Sequence, residues 1–373
     1  MSIRMIDLQA EYLEIEKEVL PAITTVLKSG AYIQGEIVRD FENDLAEFLD
    51  VKHVISCGNG TDALQIALMA LAINAGDEVI IPAFSYIAVA EVVCLLGATP
   101  VFVDVDDTYF QFDVALLKKA ITQKTKAIIP VHLFGQSANL EDILDVAKQN
   151  NIKIIEDCAQ ALGGKYSLNG EPRFLGNIGD FGCTSFFPTK NLSCFGDGGA
   201  LFTNDDDLAV KARMIANHGQ KEKYNHHLIG INSRLDALQA SVLQTKLKNL
   251  NRIHKKKSEL VYIYFTHLKN IKEIALPQTH PYSLNVWHQF TIKIKNGLRN
   301  QLKNYLAEKG VESMVYYPMP ITEQVAYQKY RNNFPNAQKL SEEVLSLPIH
   351  PLLTVKDIDY ICSQITQFFN AES

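Results

Sequence analysis

"KHVISCGNGTDALQIALMALAI", residues 52–73, decides the fold. The run "KHVISC" is short, apolar and β-branched, which suits a strand. The glycines of "GNG" break it, and "GTDALQIALMALAI" continues with a helical pattern. The same strand–turn–helix unit returns along the chain. "DEVIIP" leads to "IAVAEVVCLLG", "PVFVDV" to "DVALLKKAI", and "KAIIPVHLFG" to "NLEDILDVAKQNN", after which comes "IKIIEDCA". Apolar strands alternating with helices predict a mostly parallel sheet covered on both faces, an α/β fold, from about residue 50 to 205. Beyond it, "FGCTSFF" (181–187) and "GGALFTN" (198–204) read as two more strands joined by a loop. A long helical pattern over about 233–266 leads out of this part. "VWHQFTIKI" and "SMVYY" read as strands of a smaller C-terminal α+β domain. The expected division is a large domain over 1–250, including an N-terminal segment, and a small one over 251–373.

The chain of 373 residues is 47% hydrophobic and 21% charged, the composition of a folded protein with a sizeable core. A net charge of −6 gives no electrostatic reason to expect a nucleic-acid partner. The start, "MSIRMIDLQAEYLEIEKEVL", lacks the apolar stretch of a signal peptide, and no apolar run reaches membrane-spanning length. Six scattered cysteines without a CxxC pair read as reduced thiols of a cytoplasmic protein, and no metal site is expected.

Four segments fall where an open α/β sheet binds ligands, at the carboxyl ends of its strands. In "CGNGTDAL" (57–64), the Thr61 and Asp62 N–H groups at a helix start would attract a phosphate, or these residues simply cap the helix. In "IIEDCAQALGG" (154–164), two acids end an apolar strand. Glu156 or Asp157 must point inward and needs a cation or several donors, for structure or for chemistry. In "SFFPTKNLSCFGDGGA" (185–200), Lys190 sits among aromatic residues and hydroxyls beside a glycine cluster. In "GINSRLDALQ" (230–239), Asn232 or Ser233 caps the long helix or serves an anion-binding loop. A phosphate nest, a buried carboxylate, a lysine and an anion-binding loop form the set that pyridoxal phosphate requires. Its aldehyde condenses with an amine, its ring nitrogen wants an ionised carboxylate, and its phosphate wants a helix N-terminus. Tyr86, in "PAFSYIA" (82–88), is a candidate to cover the ring face, with a core aromatic as the competing reading.

The chain resembles the sugar aminotransferases of the DegT/DnrJ/EryC1/StrS family from "GAYIQGEIVRDFE" (30–42) to "SLPIHP" (346–351). The matching motifs include "GNGTDAL", "EDCAQALGG", "SFFPTKNL" with "GDGGA", "NSRLDALQA" and "YYPMPI". The resemblance implies the aspartate-aminotransferase-like (type I) pyridoxal-phosphate fold and a homodimer. It implies Lys190 as the Schiff-base lysine, Asp157 as partner of the pyridine nitrogen, Gln160 on the ring hydroxyl and Tyr86 stacked on the ring. Thr61, Asp62 and Ser185 would hold the phosphate, with Asn232 reaching it from the other subunit. L-glutamate would donate its amino group, by way of pyridoxamine phosphate, to a keto nucleotide sugar.

"ANHGQKEKYNHHLIGINSRLD" (216–236) is most similar to members that aminate C3 of UDP-2-acetamido-2-deoxy-3-oxo-glucuronate, which serve surface polysaccharide (O-antigen) synthesis. "NVWHQF" (285–290) is similar to members acting on dTDP-3-oxo-6-deoxyhexoses, the alternative; a non-catalytic binding protein is a remote one. A uronate carboxylate wants a guanidinium, for which Arg234 is the candidate. Tyr316 and Tyr317, standing where many members read His-Tyr, are candidate sugar contacts. Lys190 argues against the dehydratases of the family, which carry histidine there.

Overall fold

In the computed structural model, which describes residues 2–372, two helices, α1 (Leu8–Ser29) and α2 (Glu36–Leu49), precede the sheet. Alternation then runs β1 (His53–Cys57), α3 (Gly60–Ala70), β2 (Glu78–Pro82), α4 (Ala88–Leu95), β3 (Thr99–Val103), α5 (Val114–Ala120), β4 (Thr125–Ile128), α6 (Leu140–Asn150) and β5 (Lys153–Asp157). A hairpin, β6 (Lys165–Leu168) and β7 (Glu171–Phe174), intervenes before β8 (Phe181–Ser185) and β9 (Gly199–Thr203), and α7 (Asp206–Ala216) follows. The seven-stranded sheet has the order β1-β9-β8-β5-β4-β2-β3. All neighbours from β8 through β3 are parallel, and only β9 runs against the rest. The expected mostly parallel sheet is present, and its central strands are buried along nearly their whole length.

Buried strands need apolar helices over them. α3 supplies one, burying Ala63, Leu64, Ile66, Ala67, Leu68 and Ala70. Its first turn approaches the β8–β9 loop so closely that side chains are excluded. A Cβ on Gly60 would lie 2.6 Å from Ser185 Cβ, and one on Gly199 would lie 2.4 Å from the Asn59 backbone. The glycines of "GNG" and "GDGGA" therefore bring the helix start and the lysine loop together.

Three sequence expectations are corrected. The long helix over 233–266 begins only at Ala237 and is two helices, α8 (Ala237–Leu247) and α9 (Leu250–Leu268); α8 has Asp236 at its N-cap, so neither Asn232 nor Ser233 caps it. The strand in "VWHQFTIKI" is confined to Phe290–Ile294, because the Val286 and Gln289 N–H groups donate instead to Gly135 O and Phe134 O. "SMVYY" forms a single bridge, Met314 to Ser346, rather than a strand.

A three-stranded sheet (Ile274–Ala275, Phe290–Ile294, Val344–Leu347) carries a further core that includes Ile3, Leu260, Tyr264, Ile358 and Ile365. Tyr264 stacks on Phe290 at 4.5 Å and donates to Pro348 O. All six cysteines are free thiols.

Both acids at the end of β5 are buried, and the pleat turns them to opposite faces. Glu156 is saturated. It accepts from Gly176 N, Ile178 N and Gly179 N at 2.8, 2.9 and 2.6 Å and meets His132 Nε2 at 2.9 Å. Glu156→Ala would strand three backbone donors and an imidazole, a loss of about 3–5 kcal/mol for a buried charge network. Urea unfolding should show it; a loss under about 1 kcal/mol would mean that Glu156 does not hold the 176–179 loop.

Candidate active site

At the carboxyl ends of β1, β2, β5 and β8 the loops surround a cavity of about 700 Å³. Thr61, Asp62, Tyr86, Asp157, Gln160, Ser185, Lys190, Tyr316 and Tyr317 all line it, although they come from five separate stretches of chain. Asn232 and Arg234 do not line it. Asn232 is exposed, and Arg234 is half-buried, donating among the described residues only to Asn217 Oδ1 at 3.4 Å.

The helix start is more committed than the sequence suggested. Asn59 Oδ1 caps α3 by accepting the Asp62 N–H at 2.8 Å, which leaves the Gly60 and Thr61 N–H groups for an anion. The Asp62 carboxylate accepts from Ser233 Oγ at 2.6 Å, and that hydroxyl accepts from Gly58 N at 2.9 Å. Ser233 thus ties the loop before α8 to the glycine turn. The serine was legible only as a candidate cap, because its partner lies 171 residues away.

Asp157 accepts from Ala159 N at 3.0 Å. Burial raises its carboxyl above the ordinary value, against the Ala159 N–H and the charges of Lys190 and His132. Burial likewise lowers Lys190 to about 8, with Asp157 opposing. Each group is the other's counter-charge in a place that disfavours both.

Gln160 Oε1 accepts from Phe134 N at 2.7 Å, which fixes the amide so that Nε2 faces the Tyr317 hydroxyl at 3.1 Å. Gln160 therefore presents donors to the cavity. Tyr86 is largely exposed at the cavity wall, tilted against Tyr317 with ring centroids 6.3 Å apart. That position favours covering a ligand over filling a core.

Sequence reasoning missed His288 and Gln289, which line the cavity from the segment before the Phe290 strand. His288 is buried with Nδ1 unpartnered, and burial together with Lys190 and Lys257 holds its pKa well below the ordinary value. "NVWHQF" contained the signal, a polar pair inside an apolar run, but not the direction in which it points.

Pyridoxal phosphate fits this donor set. Gly60, Thr61 and Ser185 offer N–H and hydroxyl donors at one end. Asp157 is an ionisable acceptor held in place, Lys190 an amine that burial has made basic near neutrality, and Tyr86 a flat wall.

In the cofactor-free protein, acylation of the Lys190 amine should rise with a midpoint near pH 8. Asp157→Asn should lower that midpoint, since the carboxylate is what opposes burial. A wild-type midpoint near the ordinary value of about 10.4 would show a solvated lysine.

The sequence pattern of the DegT/DnrJ/EryC1/StrS aminotransferase family matches residues 13–366. A UDP-2-acetamido-2-deoxy-3-oxo-D-glucuronate aminotransferase of Pseudomonas aeruginosa is 42% identical, over 98% of this chain and 99% of its own. A pleiotropic regulatory protein of Geobacillus stearothermophilus is 41% identical over 99% of each chain. Transaminases named for dTDP-linked amino sugars also match, at 39% identity. Among solved structures, S. venezuelae DesV in complex with a ketimine intermediate superposes with a TM-score of 0.95 at 37% identity, covering 98% of both chains. With a full-length family match and full-length relatives on the same fold, the chain belongs to the DegT/DnrJ/EryC1/StrS aminotransferase family.

Proposed function

We propose that this enzyme, dependent on pyridoxal phosphate, moves the amino group of L-glutamate to C3 of UDP-2-acetamido-2-deoxy-3-oxo-glucuronate, for surface polysaccharide synthesis. The observation that carries the aminotransferase chemistry is Lys190 and Asp157 in one cavity, each shifted by burial and opposed by the other. When bound, the cofactor supplies an electron sink for the charge left at Cα of the amino donor. Lys190 would provide the amine that holds the cofactor and the base that takes and returns the Cα proton. With its pKa lowered to about 8, Lys190 is neutral far more often near neutral pH than an ordinary lysine, which favours a general base. Asp157 holds the proton on the ring nitrogen. The Gly60 and Thr61 N–H groups and the Ser185 hydroxyl bind phosphate, with Asp62 ordering their turn through Ser233. Gln160 donates to the ring hydroxyl, and Tyr86 covers the ring. In the division at about residue 250, the large domain holds the cofactor and the small one brings Tyr316 and Tyr317 to the sugar.

The reading includes a homodimer with shared sites. Phosphate, glutamate and a nucleotide sugar all carry negative charge, yet Lys190 is the only lysine or arginine lining the cavity among the described residues. Asn232 and Arg234 stand outside their own cavity, on a loop that a second copy would present to it. Arg234 forms no ion pair with Asp236 among the described residues, so its guanidinium is available for a uronate carboxylate. The 42% identity to the P. aeruginosa enzyme favours this sugar. The dTDP-3-oxo-6-deoxyhexoses are the second reading, favoured by the 39% identical transaminases named for dTDP-linked amino sugars. A regulatory, non-catalytic role has the Geobacillus relative's name in its favour but leaves the Lys190–Asp157 pair without a purpose.

Lys190→Ala should abolish transamination and borohydride trapping of the cofactor while the protein still folds. The pyridoxamine form of the wild type, given a panel of keto nucleotide sugars, should consume the UDP-3-oxo-uronate fastest. Substantial turnover by Lys190→Ala would remove the mechanism, and a preference for a dTDP-sugar would replace the substrate.

Arg234→Ala should lose activity selectively on the uronate. A hydrogen bond to a charged group is worth about 1.5–3 kcal/mol, roughly ten- to a hundredfold. Mixing Arg234→Ala with Lys190→Ala chains should restore activity, because heterodimers would collect both defects in one site. Equal losses on neutral and uronate sugars, or no recovery on mixing, would make Arg234 a structural residue.

A further inference from the structure

We propose that Lys257, on α9, is a positioning residue that holds the reactive lysine in place through Asn191; the inference rests on the reading of Lys190 given above. The Lys257 side chain is buried, and its Nζ donates to Asn191 Oδ1 at 2.7 Å. No carboxylate lies within ion-pair distance of it among the described residues. Asn191 passes the connection on, donating from Nδ2 to Val286 O at 3.2 Å. Asn191 follows Lys190 directly, and Val286 stands two residues before His288. Lys190 and His288 both face the cavity. One ammonium on α9 therefore ties together the lysine loop and the segment opposite it, two stretches separated by 95 residues.

As a stability device this arrangement is poor. A buried ammonium with a single hydrogen bond carries a desolvation cost that one neutral acceptor does not repay, and an apolar side chain of the same length would pack there at less cost. Burial shows in the amine itself, lowered to about 8 with only distant Glu11 opposing. What the ammonium does give is direction. Lys190 lies on a loop between β8 and β9, where Lys190 N to Phe187 O and Cys194 N to Phe186 O are the local backbone bonds. Neither constrains the loop against the rest of the molecule. Its far end is held by α8, where Lys246 Nζ donates to Ser193 Oγ at 2.9 Å and Gln239 Oε1 accepts from Phe195 N at 2.8 Å. Next to Lys190 the bond from Lys257 does this, reaching Asn191 from a helix that packs on the terminal helix Val355–Glu372. The charge of Lys257, with burial and the charge of Lys190, also disfavours protonation of His288.

The test uses full-length Lys257→Met, Lys257→Arg, Asn191→Ala and the Lys257→Met/Asn191→Ala double variant. Methionine fills the space without a donor, so the urea midpoint should hold or rise. The half-reaction with glutamate should slow with an unchanged KM for the keto sugar, since misplacement by about 1 Å costs up to roughly a hundredfold. In the cofactor-free protein, amide hydrogen exchange over residues 187–195 should rise by about tenfold while β5 stays protected. Asn191→Ala should match Lys257→Met, the double variant should be no slower than either within about twofold, and Lys257→Arg should recover most of the rate. Wild-type rate and exchange in Lys257→Met, or losses that multiply in the double variant, would overturn the tether. If Lys257→Met does not fold, Asn191→Ala decides alone on the same two readings. Turnover surviving in Lys190→Ala would refute the underlying mechanism; a dead Lys190→Ala beside an unaffected Lys257→Met would refute the tether only.

Discussion

The pleat of one strand governs the site. On β5, Glu156 and Asp157 are adjacent, so they must point to opposite faces of the sheet. Glu156 turns to the side where His132 and the 176–179 loop supply donors for both of its oxygens, and it becomes part of the scaffold. Asp157 is left at the carboxyl end with one backbone donor and the cavity before it. A carboxylate so placed is costly unless a cation stands nearby, and Lys190 is that cation. Because β8 is the parallel neighbour of β5, the loop that follows β8 brings the lysine to the same rim. The antiparallel return through β9 then closes that loop against the start of α3.

Local patterns were legible in the sequence and distant ones were not. The β1–α3 and β5 segments announce themselves by period and by glycine, because strand, turn and helix preferences act over a few residues. The lysine loop was likewise visible, since an amine among aromatic residues conflicts with ordinary burial. Hydrogen bonds that span the chain carry no such local mark. Ser233 to Asp62, Gln160 to Phe134 N and Tyr317, and Asn191 to Val286 O join residues whose own neighbourhoods say nothing of the partner. For the same reason "VWHQF" read as a strand from its first residue. Its β-branched and aromatic content is real, but Val286 and Gln289 spend their N–H groups on the 134–135 turn, which turns His288 and Gln289 toward the ligand.

The electrostatics of the cavity follow from how few charges it holds. Lys190 and Asp157 each suffer from burial, and each offsets part of the other's cost. Apart from the carboxylates of Asp62 and Asp197, neutral groups make up the remaining wall: amides, hydroxyls, aromatic rings and an imidazole that burial keeps uncharged. Such a wall leaves the two titrating groups coupled mainly to one another, so a proton can shift between states without a large answering rearrangement of fixed charge. Among the described residues, no guanidinium lines the cavity to meet an anionic ligand. The loop carrying Asn232 and Arg234 keeps those groups at the surface of its own chain, clear of Lys190. In the shared-site reading, the chemistry and the grip on charge belong to different copies. An arginine beside Asp157 would have lowered that carboxyl and drawn its charge away from Lys190; in the shared-site reading, Arg234 would instead meet the substrate from the second copy, away from the amine.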